Sequence, residues 1–516
     1  MRIAASALLG PLFLTCASPA QQGGLATELA TVTQAPEYRH AHWGLLLVDA
    51  GTGAVLFEQD ADKLFAPAST TKLFSCAAAL EAFGADHRFT TVVVRQGEVD
   101  SAGVLRGDLV LVASGDPTLG GRTRPDKTLA YTSSDHIYSN GNERGKLTDT
   151  DPLAGLTALA RQVASAGIRK ITGDVRIDDR LFDADASTGS GPRKLTPIVV
   201  NDNLIDVIVT PGKAGEAASV TVRPASSTIF VDARVTTGQK DSKTTIELRS
   251  PTQGRFVVRG SLAEGHAPLV RTQEVDDPAN FARALFLEAL AREGVATEAS
   301  AFDPNRRDAL PTRETVLASP VVATFVSVPL AEHLKVVLKV SHNLHASLLP
   351  LLLAVKAEKR TLAEGLKEER RYLDALAVPT ATISFGGGAG GSPADRTTPR
   401  ATVALLLAIA KRPWGSEFRA MLPVLGVDGT LSLAVPSASP ARGKAQAKTG
   451  TYFYDNPMNG TSLLTSKALA GWLETKSGRQ LAFCFVVNGV HLAQESEADR
   501  IGQALGRLCE IAWDAL

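Results

Sequence analysis

The sequence predicts an α+β protein of more than one domain. Mixed helix and strand periodicity occurs at both ends of the chain, and the long middle is built of short β-type runs between glycine turns. The chain has 516 residues, 44% of them hydrophobic and 21% charged, which suffices for about two to four separate cores. Lys+Arg and Asp+Glu both number 54, and no basic block is interleaved with aromatics. No net field draws the chain to nucleic acid, which is excluded as an expected partner.

Residues 1–22 read as an export signal. Arg2 supplies a charged start, Ile3 to Leu14 an apolar stretch, and Ser18-Pro19-Ala20 a small-x-small cleavage site before Gln21. The mature chain is expected in the periplasm or cell envelope, soluble or loosely membrane-associated. Cys16 is a weak lipidation candidate, because Phe13-Leu14-Thr15 lacks leucine at the third and a small residue at the first preceding position. No later apolar run reaches the ~20 residues needed to span a bilayer.

Gly44 to Val48 and Ala54 to Glu58 form a hairpin around Asp49-Ala50-Gly51-Thr52-Gly53. A buried helix follows Pro67, with Leu73, Cys76, Ala77 and Leu80 at helical spacing until Gly84 stops it. From about 88 to 310 the texture is β-type. Gly107-Asp108-Leu109-Val110-Leu111 and Gly173-Asp174-Val175-Arg176-Ile177 resemble each other there, which points to a duplicated strand unit. Gly120 to Asp151 has no pattern and reads as a loop.

Helical patterning resumes over Pro329 to Val355 and Ala401 to Lys411. Leu469 to Glu474 and Gln480 to Val487 are strands, and a last helix carries Ile501, Leu505, Leu508 and Ala512 on one face. After the signal only Cys76, Cys484 and Cys509 remain, too few for a disulfide framework and wrongly spaced for zinc. The scattered histidines predict no metal either, and no cofactor is expected. Cys76 reads as core filling rather than a reactive thiol. Gly386 to Gly391 contains Gly-x-Gly-x-x-Gly, but Ser392-Pro393 stands where a nucleotide-binding helix should begin. It is read as a flexible loop beside the active site.

Ser69-Thr70-Thr71-Lys72 is a Ser-x-x-Lys motif at a helix start, and a spacing of three puts hydroxyl and amine on one face within reach. Alone it means little. Ser341-His342-Asn343 fits Ser-x-Asn, however, and Lys448-Thr449-Gly450 fits Lys-Thr-Gly on the strand-like run Ala445 to Tyr452, in the order in which penicillin-binding proteins and related β-lactamases carry the three motifs. Lysine of unperturbed pKa near 10.4 is neutral only about once in 2,500 at pH 7, so Lys72 needs desolvation or a neighbouring cation to act as base toward Ser69. Lys448 is expected to tune Lys72 and hold a substrate carboxylate, Ser341 to pass a proton to the leaving amine, and Asn343 to fix the substrate amide. Gly450 is expected to let the substrate backbone lie along the strand, with the amides of Ser69 and Thr451 as oxyanion donors.

The chain here resembles the low-molecular-weight class C penicillin-binding proteins, which act as D-alanyl-D-alanine carboxypeptidases and endopeptidases and carry a large insertion after the first motif. The resemblance runs through Pro67-Ala68-Ser69-Thr70-Thr71-Lys72, Gly107-Asp108-Leu109, Gly115-Asp116-Pro117-Thr118-Leu119, Asn201-Asp202-Asn203, Asp428-Gly429-Thr430-Leu431, Ala447 to Thr451, and Val486-Val487-Asn488-Gly489. It implies a β-lactamase/transpeptidase-like domain, an antiparallel sheet flanked by helices, from residues 23–87 and 311–516, with a β-rich insertion at 88–310. It also implies peptidoglycan stem peptides and β-lactams as partners, with Ser69, Lys72 and Ser341 catalytic and Asn343, Lys448, Thr449, Gly450 and Thr451 binding substrate.

Two departures stand out. His342 replaces the family's usual aspartate, which is expected to alter pH dependence, and Gly387 to Pro393 replaces a stretch rich in polar side chains. Two rival readings remain: a serine β-lactamase, against which stand the insertion and the lack of a Glu-x-x-x-Asn, and a non-catalytic penicillin or cell-wall binding protein, which has no need of all three motifs. No Gly-x-Ser-x-Gly elbow of an α/β-hydrolase occurs.

Overall fold

The computed structural model describes residues 19–138 and 145–516. Most of the expected export signal and Cys16 lie outside the described residues, and helix α1 (Pro19–Thr33) begins within the last part of that segment. β1 (His42–Asp49) and β2 (Val55–Gln59) form the expected hairpin, and α2 (Thr71–Phe83) carries the first motif.

The chain then leaves this unit. β3 (Thr90–Val99), β4 (Val104–Val112), α3 (Ala154–Ser165), β5 (Lys170–Ile171) and β6 (Val175–Asp178) come first. β7 (Leu204–Thr210), β8 (Ser219–Arg223), β9 (Phe230–Gly238), β10 (Thr245–Thr252), β11 (Arg255–Ala263) and β12 (Leu269–Glu274) follow. α4 (Pro278–Arg292), β13 (Ala296–Thr297), α5 (Arg313–Leu317) and β14 (Val321–Val326) complete the excursion. The chain returns through α6 (Leu330–Val340), α7 (Asn343–Lys356), α8 (Leu362–Ala375), α9 (Pro399–Ala410) and α10 (Gly415–Ala420). β15 (Ala445–Asn456), β16 (Thr461–Glu474), β17 (Gln480–Asn488), β18 (Val490–Leu492) and α11 (Glu497–Ala515) end it.

One sheet of order β15-β16-β17-β1-β2, with β18 on β16, joins strands from both ends of the chain, every pair antiparallel. β1 is buried from Trp43 to Asp49 because it lies between two layers. Leu46 and Val48 point into the core shared with α2, α6, α7 and α9, while Trp43, Leu45 and Leu47 point into the core shared with α1 and α11. This two-sided burial explains its nearly continuous apolar sequence.

The middle unit packs a six-stranded sheet and two three-stranded sheets around one core with α3 and α4, so it holds helices as well as the strands that its texture suggests. The two similar stretches are neighbours: β4 and β6 run parallel with Leu109, Val110 and Leu111 opposite Val175, Arg176 and Ile177. β14 pairs with β3, so this sheet extends past the expected boundary at residue 310. Where the chain crosses between units, Phe89 N donates to Ser327 Oγ and Ser327 N to Phe89 O, both at 2.9 Å. We propose the crossings at about residues 88 and 328. Cys76, Cys484 and Cys509 are all free and buried.

Candidate active site

The first motif sits on a turn that the backbone holds in an uncommon shape. Ala68 has φ +46°, and a short 3-10 turn over Ala68–Thr70 delivers Ser69 to the start of α2 with its side chain half-buried. A left-handed alanine costs about 1 kcal/mol or more and persists where its surroundings demand it. Two glycines leave room for it. A Cβ on Gly450 of β15 would lie 2.6 Å from Pro67 O, and one on Gly390 would lie 2.0 Å from Ala68 O. Gly450 therefore also makes room for the chain's own nucleophile turn.

Lys72 is fully buried, and its Nζ lies 2.7 Å from each of Ser69 Oγ, Asn343 Oδ1 and Ala389 O. A neutral amine has two N–H groups and one lone pair. Two of the three neighbours are carbonyl oxygens that can only accept, so the lone pair is left facing the one neighbour with a proton to give, the Ser69 hydroxyl. Burial, and then the charge of Lys448, hold the Lys72 ammonium well below the ordinary lysine range. Lys448 is itself lowered to about 7, chiefly by burial. An incoming carboxylate would favour its charged form again.

The second motif lies in the break between α6 and α7. Ser341, at φ +62° and ψ +41°, turns the chain, and Lys448 Nζ donates to its Oγ at 2.9 Å. Asn343 opens α7, with Oδ1 on Lys72 while Nδ2 donates to Tyr138 O at 2.9 Å. His342 turns away from the nucleophile: its ring stacks on His345 at 3.7 Å, and its Nε2 faces Asp202 Oδ1 at 3.5 Å. Burial lowers its pKa to about 3, so it stays neutral at neutral pH. On β15, Lys448 Nζ also donates to Thr449 O, and Thr449 Oγ1 donates to Thr430 Oγ1 at 2.7 Å. Thr451 continues the same edge strand. The residues expected to act together therefore meet where α2, α7 and β15 converge.

The glycine-rich segment was not found as a flexible loop. Gly387 to Gly391 are buried, wedged between α2, α7 and residues 188–190 of the middle unit. Cβ atoms would lie 2.2 Å from Ala346 O at Gly388, 2.4 Å from Thr188 Oγ1 at Gly387 and 2.3 Å from Ser190 N at Gly391. Asp395 closes the segment by accepting from Gly386 N at 2.7 Å and Ser392 N at 2.9 Å. Its product is the Ala389 carbonyl on Lys72, a contact that sequence reading missed because any residue type offers a carbonyl. Behind it, Ser75 Oγ lies 3.1 Å from Glu369 Oε1 and 3.2 Å from Gly388 O, and burial pushes the Glu369 carboxyl up to about 8.

Among the described residues, Asp202, His342 and His345 bring possible metal-ligand atoms within 4.8 Å of one another. The other oxygen of Asp202 already takes Arg122 Nη2 at 2.6 Å and His136 Nδ1 at 2.9 Å. A divalent cation there would stand beside a guanidinium and a charged imidazole, which fits a metal poorly.

Comparison with known proteins agrees with this geometry. The family model described as D-Ala-D-Ala carboxypeptidase 3 (S13) matches residues 25–508. The chain is 30% identical over 512 residues to a D-alanyl-D-alanine carboxypeptidase of Actinomadura sp. (strain R39), covering 93% of this chain and 85% of that protein. It is 24% identical to the D-alanyl-D-alanine carboxypeptidase DacB of Haemophilus influenzae, covering 86% and 85%. The fold is similar to the crystal structure of penicillin binding protein 4 from H. influenzae, with a TM-score of 0.68 at 20% identity over 94% of this chain and 99% of that one. A second structure of that protein, complexed with a β-lactam, has a TM-score of 0.66. The chain belongs to the D-Ala-D-Ala carboxypeptidase 3 (S13) family of peptidases.

Proposed function

We propose that the chain is an exported serine-type D-Ala-D-Ala carboxypeptidase and endopeptidase that cuts peptidoglycan stem peptides through an acyl-enzyme on Ser69 and is inhibited by penicillin. The observation that carries this reading is Lys72 Nζ, held 2.7 Å from Ser69 Oγ by two carbonyl acceptors, at a site whose burial lowers its pKa. Lys72 takes the Ser69 proton as Oγ attacks the carbonyl of the penultimate D-alanine. The amides of Ser69 and Thr451 receive the developing oxyanion. Lys448, with Thr449 beside it, holds the terminal carboxylate, Asn343 orients the substrate amide, and Ser341 delivers a proton to the departing amine. Water then releases the acyl group.

A β-lactam presents a strained amide and a carboxylate to the same groups, and a relative of similar fold has been crystallised with one. Release of D-alanine from a peptide ending in D-Ala-D-Ala tests the reading: the wild type is expected to release it and Ser69→Ala to release none. Equal release by both proteins would overturn it.

A further inference from the structure

Around Asn343 the middle unit supplies a set of buried charges with no part in the proposed chemistry. Arg122 bridges Asp135 and Asp202, with Nη1 on Asp135 Oδ2 at 3.1 Å and Nη2 on Asp202 Oδ2 at 2.6 Å. His136 donates from Nδ1 to Asp202 Oδ2 at 2.9 Å and from Nε2 to Asp206 Oδ1 at 2.6 Å. Both ring nitrogens thus face carboxylates, which requires an imidazolium and agrees with a pKa raised to about 9 in spite of burial. Arg223 Nε donates to the other oxygen of Asp206 at 2.9 Å. Three cations and three anions balance, and all but Arg223 are nearly inaccessible to solvent.

The free side of Asp202 faces α7. His345 Nε2 donates to Asp202 Oδ1 at 2.8 Å, and His342 Nε2 faces the same oxygen at 3.5 Å. These histidines stand one residue before and two residues after Asn343. The backbone of the same two segments supports Asn343 directly: its N donates to Ile137 O at 3.1 Å, its Nδ2 to Tyr138 O, and Tyr138 Oη donates to Asp202 O at 2.7 Å. Five non-glycine residues here are left-handed: His136 at φ +55°, Tyr138 at +54°, Asn201 at +50°, Asp202 at +50° and Asn203 at +57°. Left-handed backbone at residues other than glycine gathers where a geometry must be held.

We propose that Asp202 of the middle unit is a positioning residue for the reaction, clamping His345, on which the His342 ring stacks, so that Asn343 holds its carbonyl on Lys72. Asp202 touches neither substrate nor nucleophile and acts through α7. The middle unit is in this way a working part of the catalytic centre, and His345 is its point of attachment. A shift of Asn343 by about 1 Å is expected to slow acylation on the order of 100-fold.

The proposal rests on Ser69 being acylated, so the experiment follows the acylation rate by penicillin for the full-length wild type and for Asp202→Asn, together with the fraction finally acylated. Expected is a final fraction close to that of the wild type, reached on the order of 100-fold more slowly, with half-saturation by penicillin little changed because Lys448 and Thr449 lie on another element. A variant whose acylable molecules react at the wild-type rate, whatever their fraction, overturns the proposal by showing a purely structural role. Absence of acylation in the wild type overturns the Ser69 reading along with it.

His345→Gln and His345→Leu provide the second comparison, which also serves if Asp202→Asn does not fold. Glutamine keeps an N–H for Asp202 and is expected to react within about threefold of the wild type, while leucine loses the rate as Asp202→Asn does. Equal rates for the two would overturn the proposal.

Discussion

Glu369→Gln tests through stability, independently of turnover, whether the carboxyl behind the glycine-rich segment is held protonated. Glu369 is buried in α8, with Oε1 on Ser75 and Oε2 without a partner among the described residues. Its pKa is about 8 in the folded chain against 4.5 for a free glutamate. Below pH 4.5 both folded and unfolded states bind the proton, and the group adds no pH dependence. Between pH 4.5 and 8 only the folded state keeps it, so stability falls as pH rises, by about 1.36 kcal/mol per pH unit. From pH 4.5 to pH 7 that amounts to roughly 3 kcal/mol, and above pH 8 the loss levels off.

Glutamine has nearly the same shape and no titration. It carries a constant cost for its unpartnered amide, of about 1–3 kcal/mol. The measurement is therefore the pH dependence of the difference between the two proteins in urea unfolding. Expected is a shift in favour of the variant of roughly 3 kcal/mol between pH 4 and pH 7. Parallel stability curves for the two proteins over this range would refute the reasoning.

Three further expectations concern the site. In Gly450→Ala the added Cβ, 2.6 Å from Pro67 O, is expected to push the Ser69 turn aside and slow acylation by about 100-fold with fold retained by circular dichroism; a wild-type rate would show that the turn yields. Because Lys72 lies well below the ordinary lysine range, acylation of the wild type at saturating penicillin is expected to rise far less steeply between pH 8 and pH 10 than the roughly tenfold per pH unit of an unperturbed lysine, and a tenfold rise would contradict the lowered pKa. Lys448→Met is expected to raise KM for a peptide ending in free D-alanine by about tenfold or more, and to affect a C-terminal amide analogue much less; an equal effect on both would contradict the carboxylate role.

What could be read from the sequence depended on how far each feature relies on side-chain identity. Ser69, Lys72, Ser341, Asn343 and Lys448 stand in three short motifs whose chemistry demands those side chains, and the structure hydrogen-bonds Lys72 to Ser69 and Asn343 and Lys448 to Ser341. Ala389 could not be read, because its contribution is a backbone carbonyl and its only trace is the run of glycines that lets three elements close around it. The link from Asp202 to His345 spans 143 positions and joins two units, so no local pattern announces it.

Burial also overrode local reading. The glycine run resembles a mobile loop in sequence, yet close backbone approach is what its missing side chains permit. Helix α3 places Leu156, Leu159, Ala160 and Val163 at helical spacing, a signal overlooked among the glycine turns of the β-rich middle. β14 reads as an ordinary β-branched run, and only its pairing with β3 assigns it to the middle unit.

The most direct test of the central claim, that Ser69 is a nucleophile activated by a neutral Lys72, is the intact mass of the protein after brief incubation with penicillin, taken beside Ser69→Ala. Expected is one wild-type species heavier by the mass of one whole penicillin, absent from the variant. No adduct on the wild type, or an adduct that survives in Ser69→Ala, would contradict it.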